Sequence, residues 1–337
     1  MKIFSIESSC DETSAAVLEF DGDGRITVMS NIIASQIEIH ARFGGVVPEI
    51  ASRAHAEAIS KITYEAFEKA NCTISDVDAV AVTAQPGLIG ALLVGVNFAK
   101  SLAYANNKPL VAVNHMRGHI AANYITHPDL KPPFLALIAS GGHTSIVRVT
   151  DYREMEVIGG TRDDALGEAF DKVARVLGMP YPGGASMDKL AYDGKPTIKF
   201  PSAAIRDDTL DLSFSGIKTA VLNYINTSEQ KGESINRSDV AASFVEAAVS
   251  SVITKISEAL SRERDMHKLV LAGGVAANSH LRAALEKLCR EKNVTLYLPD
   301  LIYCGDNAAM IGAAAFFEYK AGIFAGADLN ACAVADI

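Results

Sequence analysis

Two histidines four residues apart are the clearest metal-binding signal in this sequence. His115 and His119 lie in the segment His-Met-Arg-Gly-His, directly after an apolar stretch that predicts a strand. Positions i and i+4 share one helix face, and two imidazoles so placed make a good pair of metal ligands. Asp306 stands at the equivalent strand-to-helix junction in the second half of the chain and would leave coordination positions open for substrate. The alternative is a solvated helix face, but sites of α/β proteins form at the carboxyl edge of the sheet, which favours the metal site.

The same segment argues against peptide hydrolysis. Met116 and Arg117 occupy the positions where a zinc metalloprotease would carry its glutamate base. Without that glutamate no general base is placed to activate water.

Acidic residues in the first turn form a second chemical cluster. Glu7, Asp11 and Glu12 lie within one predicted strand–turn unit. Asp11 and Glu12 are interpreted as catalytic residues that position a metal, water or phosphate, or that remove a proton from an attacking amine. The alternative is that they are solvated turn residues. Cys10 has no identifiable histidine partner, so its thiol is predicted to be unreactive.

Small turns after predicted strands suggest an anion-binding function. Residues 140–143 read Ser-Gly-Gly-His, and Gly273-Gly274 follows another predicted strand. Backbone N–H groups converge in such turns and bind phosphate. His143, Asp171 and Asn278 are polar residues at neighbouring element ends, although Asp171 taken alone would be a charge on an exposed helix face. Segments 180–188 and 212–220 are predicted to be loop-like and polar.

The elements expected to position these residues occur twice along the chain. The first half predicts strands at 2–7, 13–20, 26–33, 78–84 and 109–113, helices at 48–70 and 88–105, and a helix carrying the two histidines. The second half predicts strands at 134–139, 144–150, 268–272 and 295–298, and helices at 164–178, 215–225, 239–264, 276–292 and 306–319. This repeat predicts two α/β lobes with a cleft between them, and the alternative is a single α/β sheet with insertions.

Composition narrows the class of protein. The chain has 337 residues, of which 49% are hydrophobic, and a net charge of −9, which argues against nucleic-acid binding by bulk positive charge. Binding of nucleic acid through a local basic patch, or through a partner that supplies one, is not excluded by the net charge. Five cysteines without a Cys-x-x-Cys pair indicate a reducing compartment. The start of the chain does not read as a signal peptide and the longest apolar stretches are about half the length of a membrane span, so a cytoplasmic protein is expected.

Eight segments carry a resemblance to one known family. They read SIESSCDETSAAV, GGVVPEIASRAH, NHMRGH, IASGGHTS, GEAFDKVARVLGMPYPGG, LSFSGIKTAV, LAGGVAANSHLR and GDNAAMIGAAA. Their order and spacing resemble the TsaD family, also called the Kae/Gcp or glycoprotease-like family, over residues 2–330.

The resemblance implies a fold and an activity. The fold would be the actin-like ASKHA fold of sugar kinases, Hsp70 and actin, with two duplicated lobes around a nucleotide cleft. Its lobes would be residues 1–130, with a returning helix at about 306–330, and residues 131–305. The activity would be metal-assisted transfer of a threonylcarbamoyl group, in the cleft, from threonylcarbamoyl-AMP to the N6 amine of adenosine 37. The tRNAs concerned would be those that read codons beginning with A.

The resemblance also implies site residues and ligands. The metal would be one divalent ion, Fe²⁺ or alternatively Zn²⁺, at the positions of His115, His119 and Asp306. The adenylate, and ATP, ADP or AMP, would lie at Ile138, Ala139, Ser140, Gly141, Gly142, His143, Asp171, Gly184, Asp188 and Asn278. Besides tRNA, the implied partners are a TsaB-like paralogue and a TsaE-like ATPase, with no membrane.

Two other functions on the same fold compete less well. A sugar or acetate kinase would carry an Asp-x-Gly-Thr first turn, whereas this chain has Glu7-Ser8-Ser9-Cys10-Asp11. An Hsp70-like nucleotide switch would need a peptide-binding domain, and no residues remain for one.

Overall fold

The computed structural model describes all 337 residues, which divide into two compact units. Unit 1 comprises Met1–Lys131 and Pro299–Ile337, and unit 2 comprises Pro132–Leu298. The chain therefore leaves unit 1 after the helix with the two histidines and returns to it before Asp306.

Ten strands and ten α-helices build the two units. The strands are β1 (Lys2–Glu7), β2 (Glu12–Phe20), β3 (Ile26–Ser35), β4 (Ala79–Gln85), β5 (Leu110–Asn114), β6 (Phe134–Ala139), β7 (Thr144–Val149), β8 (Met155–Gly160), β9 (Lys268–Ala272) and β10 (Thr295–Tyr297). The helices are α1 (Ile37–Ala41), α2 (Pro48–Lys69), α3 (Ile89–Ala105), α4 (His115–Thr126), α5 (Leu166–Val176), α6 (Gly184–Tyr192), α7 (Ser215–Gln230), α8 (Arg237–Arg262), α9 (Ser279–Lys292) and α10 (Ala308–Lys320). Short 3₁₀ turns occupy Ile74–Asp76, Gly274–Ala277 and Leu301–Tyr303.

The two sheets have the same topology. The strand order is β3-β2-β1-β4-β5 in unit 1 and β8-β7-β6-β9-β10 in unit 2. In each sheet the first two strands of the unit form an antiparallel hairpin, and the first strand also pairs in parallel with a later one. The predicted duplication is confirmed, and the alternative of a single sheet with insertions is wrong.

Burial explains why the central strands form and where they deliver side chains. The five residues from Ile3 to Glu7 in β1 and all of β6 are buried, as expected for strands covered on both faces. Parallel strands bring their carboxyl ends to one edge of a sheet. In unit 1 that edge carries Glu7 at the end of β1 and His115 directly after β5.

Four regions differ from the sequence-based expectation. Strand β8 was not predicted, because its sequence Met-Glu-Val-Ile-Gly-Gly ends in two glycines and it lies at a sheet edge. The loop predicted at 180–188 is wrong from Gly184 onward, where α6 begins without a side-chain cap to announce it. The polar loop predicted at 212–220 is wrong from Ser215 onward, where α7 begins at the start of the helix that was also predicted, at 215–225. Helix α9 begins at Ser279 rather than at 276, because a 3₁₀ turn occupies the intervening residues.

One helix is long and apolar enough to cross a membrane by length and composition alone. It is α8, and two thirds of its most apolar window is buried inside the protein. It packs against α6, α7 and α9, so its apolar face is accounted for by the core of unit 2.

Candidate metal centre and substrate-binding turns

The first turn of α4 and the segment before α10 bring the three predicted metal ligands together. Asn114 caps α4 by accepting hydrogen bonds from Met116 N and Arg117 N, and this places His115 as the first helical residue. The Nε2 atoms of His115 and His119 lie 3.5 and 3.3 Å from Oδ1 of Asp306. The three ligand atoms are all within 4.8 Å of one another. All three residues belong to unit 1.

The surroundings of His119 fit a bound metal ion. Its side chain is completely buried, and neither ring nitrogen makes a hydrogen bond of acceptable geometry. A buried polar group without a partner costs free energy, so an imidazole in this position calls for a ligand. Burial, and then the charge of His115, lower the pKa of His119, which keeps the ring in the neutral form that binds metals. Two imidazole nitrogens and a carboxylate oxygen suit either iron or zinc.

Glu7 lies behind His115 rather than beside Asp11 and Glu12. Its Oε2 accepts from Nδ1 of His115 at 3.0 Å and from Oγ1 of Thr83 at 2.6 Å. Its other oxygen accepts from the backbone N–H of Ser9. A carboxylate that holds the far nitrogen of a ligand histidine fixes the ring orientation and raises its basicity. The sequence analysis grouped Glu7 with the acidic turn, whereas in the structure its carboxylate holds the ring of His115, a predicted metal ligand.

Charge in this cluster favours a cation. Burial disfavours a charged ring, yet the carboxylates of Asp306 and Glu7 raise the pKa of His115 to about 9. Burial likewise opposes ionisation of Glu7, but the charge and hydrogen bond of His115 bring the pKa of Glu7 below its usual value. A metal ion that binds His115 displaces a proton from it.

The acidic turn follows directly after Glu7. Asp11 is buried, its backbone carbonyl accepts from Gln36 N at 2.9 Å, and Glu12 accepts from Oγ of Ser35 at 3.1 Å. Burial first, then the charges of Asp11 and Asp306, raise the pKa of Glu12 to about 10. Burial also raises the pKa of the Cys10 thiol well above its usual value, in line with the predicted lack of reactivity.

His55 holds both ends of this turn, a role that the sequence did not reveal. On α2, its Nδ1 lies 2.7 Å from Oγ1 of Thr13 and its Nε2 lies 2.9 Å from the carbonyl oxygen of Cys10. His55 is completely buried, and burial lowers its pKa. Its presence in one of the family-like segments was the only signal available.

In unit 2, the turn after β6 packs against the turn after β9. The Ser140–His143 turn is closed by a bond from Ser140 N to His143 O, and Gly167 N at the start of α5 donates to Ser140 O. Gly273 has a φ of +93°, and a Cβ there would meet the carbonyl oxygen of Ala139 at 2.3 Å. Glycine is therefore required where the two turns meet.

Asp171, Gly184, Asp188 and Asn278 lie in one connected region of unit 2. Asp171 was interpreted, on residues alone, as a charge on an exposed helix face, and this is wrong. Its Oδ1 accepts from Gly183 N at 2.7 Å and Gly184 N at 3.1 Å, so it fixes the start of α6. Asn278 caps α9 by accepting from Leu281 N.

The carboxylate of Asp188 joins α6 to α9. Its Oδ2 accepts from N and Oγ of Ser279 at 3.0 and 2.7 Å, and its Oδ1 accepts from N and Nδ1 of His280 at 3.4 and 2.7 Å. A carboxylate offers about four acceptor sites. A direct contact between Asp188 and substrate would therefore have to replace one of these bonds.

Solved structures with the same architecture define the class of protein. HypF from T. kodakarensis aligns with a TM-score of 0.64 at 14% identity, covering 97% of this chain and 49% of that one. Component A of (R)-2-hydroxyglutaryl-CoA dehydratase from Acidaminococcus fermentans aligns with a TM-score of 0.57 at 14% identity, covering 95% and 98%. These likenesses show the fold, which is the actin-like ASKHA fold with a duplicated α/β unit.

Sequence comparison narrows this class to one family. Residues 27–313 match the family model described as TsaD, tRNA N6-adenosine threonylcarbamoyltransferase. A protein of that description from Clostridium botulinum (strain 657 / Type Ba4) is 57% identical over 98% of this chain and 96% of its own length. Another from Clostridium perfringens (strain 13 / Type A) is 56% identical over the same shares. The chain belongs to the TsaD family and is a tRNA threonylcarbamoyltransferase.

Proposed function

We propose that this enzyme transfers the threonylcarbamoyl group from threonylcarbamoyl-AMP to the N6 amine of adenosine 37, in tRNAs that read codons beginning with A. The observation that carries the proposal is the cluster in unit 1. The donor atoms of His115, His119 and Asp306 lie within 4.8 Å of one another, and Glu7, which supports His115, ends the strand that leads into the turn with Asp11 and Glu12. This is the equipment for activating an acyl carbonyl and receiving a proton from an amine.

His115, His119 and Asp306 would hold one divalent ion, Fe²⁺ first and Zn²⁺ as the alternative. When bound, the ion supplies Lewis-acid polarisation of a carbonyl or phosphate oxygen. Glu7 keeps His115 oriented with Nε2 directed to the same point as Asp306.

The proton of the attacking amine would pass to Asp11. Glu12 carries its own proton at neutral pH when its pKa is near 10, so it has no site to accept another. Glu12 would instead hold Asp11 through a shared proton. The exocyclic amine of adenine is a weak nucleophile, so much of the rate must come from holding it in line with the carbonyl.

The adenylate would be bound by unit 2. Backbone N–H groups of the Ser140–His143 turn are suited to its phosphate. The proposed substrate-binding residues are Ile138, Ala139, Ser140, Gly141, Gly142, His143, Asp171, Gly184, Asp188 and Asn278. Asp171 and Asp188 contribute in part by fixing α6, so that Gly184 keeps its place.

Partner proteins would complete the tRNA-binding surface in the cytoplasm. The net charge of −9 gives the chain no bulk attraction for a polyanion. A TsaB-like paralogue and a TsaE-like ATPase are the proposed partners. We therefore expect the isolated chain to bind tRNA weakly and with a strong dependence on salt. Tight binding that does not respond to salt would contradict the need for partners.

Reconstitution tests the proposed function directly. The protein, its partners, threonylcarbamoyl-AMP and unmodified tRNA would be combined, and the tRNA nucleosides read by mass spectrometry. A matched tRNA with guanosine in place of adenosine 37 is the control. Modified nucleoside in the first tRNA and none in the second supports the proposal. Equal modification of both tRNAs would contradict adenosine 37 as the modified nucleotide.

Removing the support behind His115 should weaken metal binding without removing a ligand. We expect Glu7→Gln to raise the dissociation constant for Zn²⁺ by about 10- to 100-fold, because the amide cannot hold the ring as a carboxylate does. The measurement is competition against a chromophoric chelator, with the melting temperature as a check on folding. Unchanged affinity in a folded variant would show that Glu7 has no role in the centre.

Loss of His55 should disturb the acidic turn and leave the metal untouched. His55→Ala removes the hydrogen bonds to Cys10 and Thr13, and a displaced catalytic group can cost on the order of 100-fold in rate. We expect slower threonylcarbamoyl transfer at unchanged Zn²⁺ affinity. A variant that only melts earlier, with a normal rate below its melting temperature, would leave His55 a purely structural role.

A further inference from the structure

The last residues of the chain run across the edge of unit 1 that carries the metal ligands. We name Leu329–Asp336 the C-terminal strap. Leu329 O accepts from Nζ of Lys100 at 2.8 Å, Cys332 N donates to Ala84 O at 2.9 Å, and Ala333 O accepts from Gly87 N at 3.2 Å. The strap thus bonds to α3, to β4 and to the turn between them.

The turn under the strap packs against a residue of the metal centre. Leu88 N donates to Ser9 O at 2.8 Å, and a Cβ on Gly87 would lie 2.7 Å from both Cβ and O of Ser9. Ser9 in turn places its Oγ 3.1 Å from Nδ1 of His115 and its N–H on Glu7. The packing is close enough that movement of the turn would move Ser9.

Asn114 provides a second and more direct connection. Its Oδ1 accepts from Met116 N at 2.8 Å and from Arg117 N at 3.4 Å, which caps the helix that begins at His115. Its Nδ2 donates to the carbonyl oxygen of Asp336 at 2.9 Å. One buried side chain is therefore held by the strap and sets the first turn of α4.

We infer that the C-terminal strap is a positioning segment for the metal centre, acting on His115 through Asn114 and through Ser9. This inference rests on the proposed metal site. Four hydrogen bonds to its backbone and the packing of Leu329 and Ala331 against the core hold the strap, while most of its side chains are exposed, so we expect it to undock more readily than the core elements. Metal affinity should then scale with the fraction of molecules in which the strap is docked.

Two variants remove the contact between the strap and Asn114. The first ends the chain after Asn330. The second is Asn114→Asp, which keeps the oxygen that caps α4 and removes the donor to Asp336. The control is Asn106→Asp, which also removes an amide donor to a backbone carbonyl, that of Leu102, at a site that the strap does not touch.

The readouts are the Co²⁺ dissociation constant from visible absorption and hydrogen–deuterium exchange at Met116 and Arg117. Both variants should bind Co²⁺ about tenfold more weakly and exchange these amides faster, while Asn106→Asp matches the wild type. Wild-type affinity and wild-type exchange in folded variants would overturn the inference.

Failure of the proposed metal site is distinguishable from failure of the strap. A wild-type protein that takes up no Co²⁺ would contradict the metal site. The amide exchange then decides alone: faster exchange in the truncated chain supports positioning by the strap, and unchanged exchange overturns it.

Discussion

Replacement of His119 by alanine is expected to abolish stoichiometric metal binding and to lower threonylcarbamoyl transfer by more than about 100-fold. The estimate is a lower bound, because losing an outer support already costs 10- to 100-fold and His119 is itself a proposed ligand. His119 is fully buried, so alanine removes the proposed metal donor together with the 3.3 Å contact to Asp306 and the edge contact with the ring of His115. Metal content by mass spectrometry and the rate of tRNA modification measure the two effects.

His267→Ala is the matched control for this variant. The side chain of His267 is exposed, and its backbone carbonyl accepts a hydrogen bond from Thr295 N at the start of β10. It should keep full metal content and full activity. A His119→Ala protein that is folded and metal-free yet transfers at the normal rate would contradict a catalytic role for the metal.

Asp11→Asn is expected to lower the transfer rate by about 10²- to 10⁴-fold, the range for loss of a general base. Glu12→Gln should cost much less, because a glutamine has nearly the shape of the protonated carboxyl that burial and the neighbouring charges favour at this position. Single-turnover kinetics with preformed threonylcarbamoyl-AMP separates this chemical effect from substrate binding. A larger loss for Glu12→Gln than for Asp11→Asn would reverse the assignment of the proton acceptor.

The same carboxyl predicts a pH dependence of stability. The folded, metal-free protein keeps a proton on Glu12 up to a pKa of about 10, whereas the unfolded chain releases it near the ordinary glutamate pKa of 4.5. Within that window the folded state binds more protons, so stability falls as pH rises. Glu12→Gln should therefore melt at the same temperature as wild type at about pH 4 and at a higher temperature at about pH 8. The same difference in melting temperature between Glu12→Gln and wild type at both pH values would contradict the raised pKa of Glu12.

Local patterns were sufficient to predict two duplicated α/β units, whereas the actin-like fold was implied by the family resemblance. Alternating apolar strands joined by a small polar turn, followed by Thr-Ser, marked both hairpins, and the structure pairs β1 with β2 and β6 with β7 as expected. The His115 and His119 pair was visible because helical spacing alone puts both rings on one face. Helix α6 was missed because a helix that begins at Gly184 has neither a capping side chain nor a strong former at its start.

The parts of the site that the sequence did not predict depend on contacts between residues that are distant along the chain. Glu7 supports His115 because β1 and β5 end at the same sheet edge, and nothing near Glu7 in the sequence reports which of several acidic roles it takes. His55 reaches Cys10 only because α2 packs on β2. The bonds from Asp188 to the start of α9 likewise depend on tertiary packing, so family resemblance predicted the residue but not its partners.

Because unit 1 is interrupted by unit 2, its three proposed metal ligands are synthesised far apart in time. Asp306 leaves the ribosome roughly 190 residues after His119, which takes about 10 to 40 seconds at ordinary rates of synthesis. Both histidines therefore emerge long before the carboxylate that completes their site, and unit 2 can fold in the interval. Loading with the proposed metal would thus be a late event in the synthesis of each chain, and a nascent chain stalled inside unit 2 would carry two of the three proposed ligands.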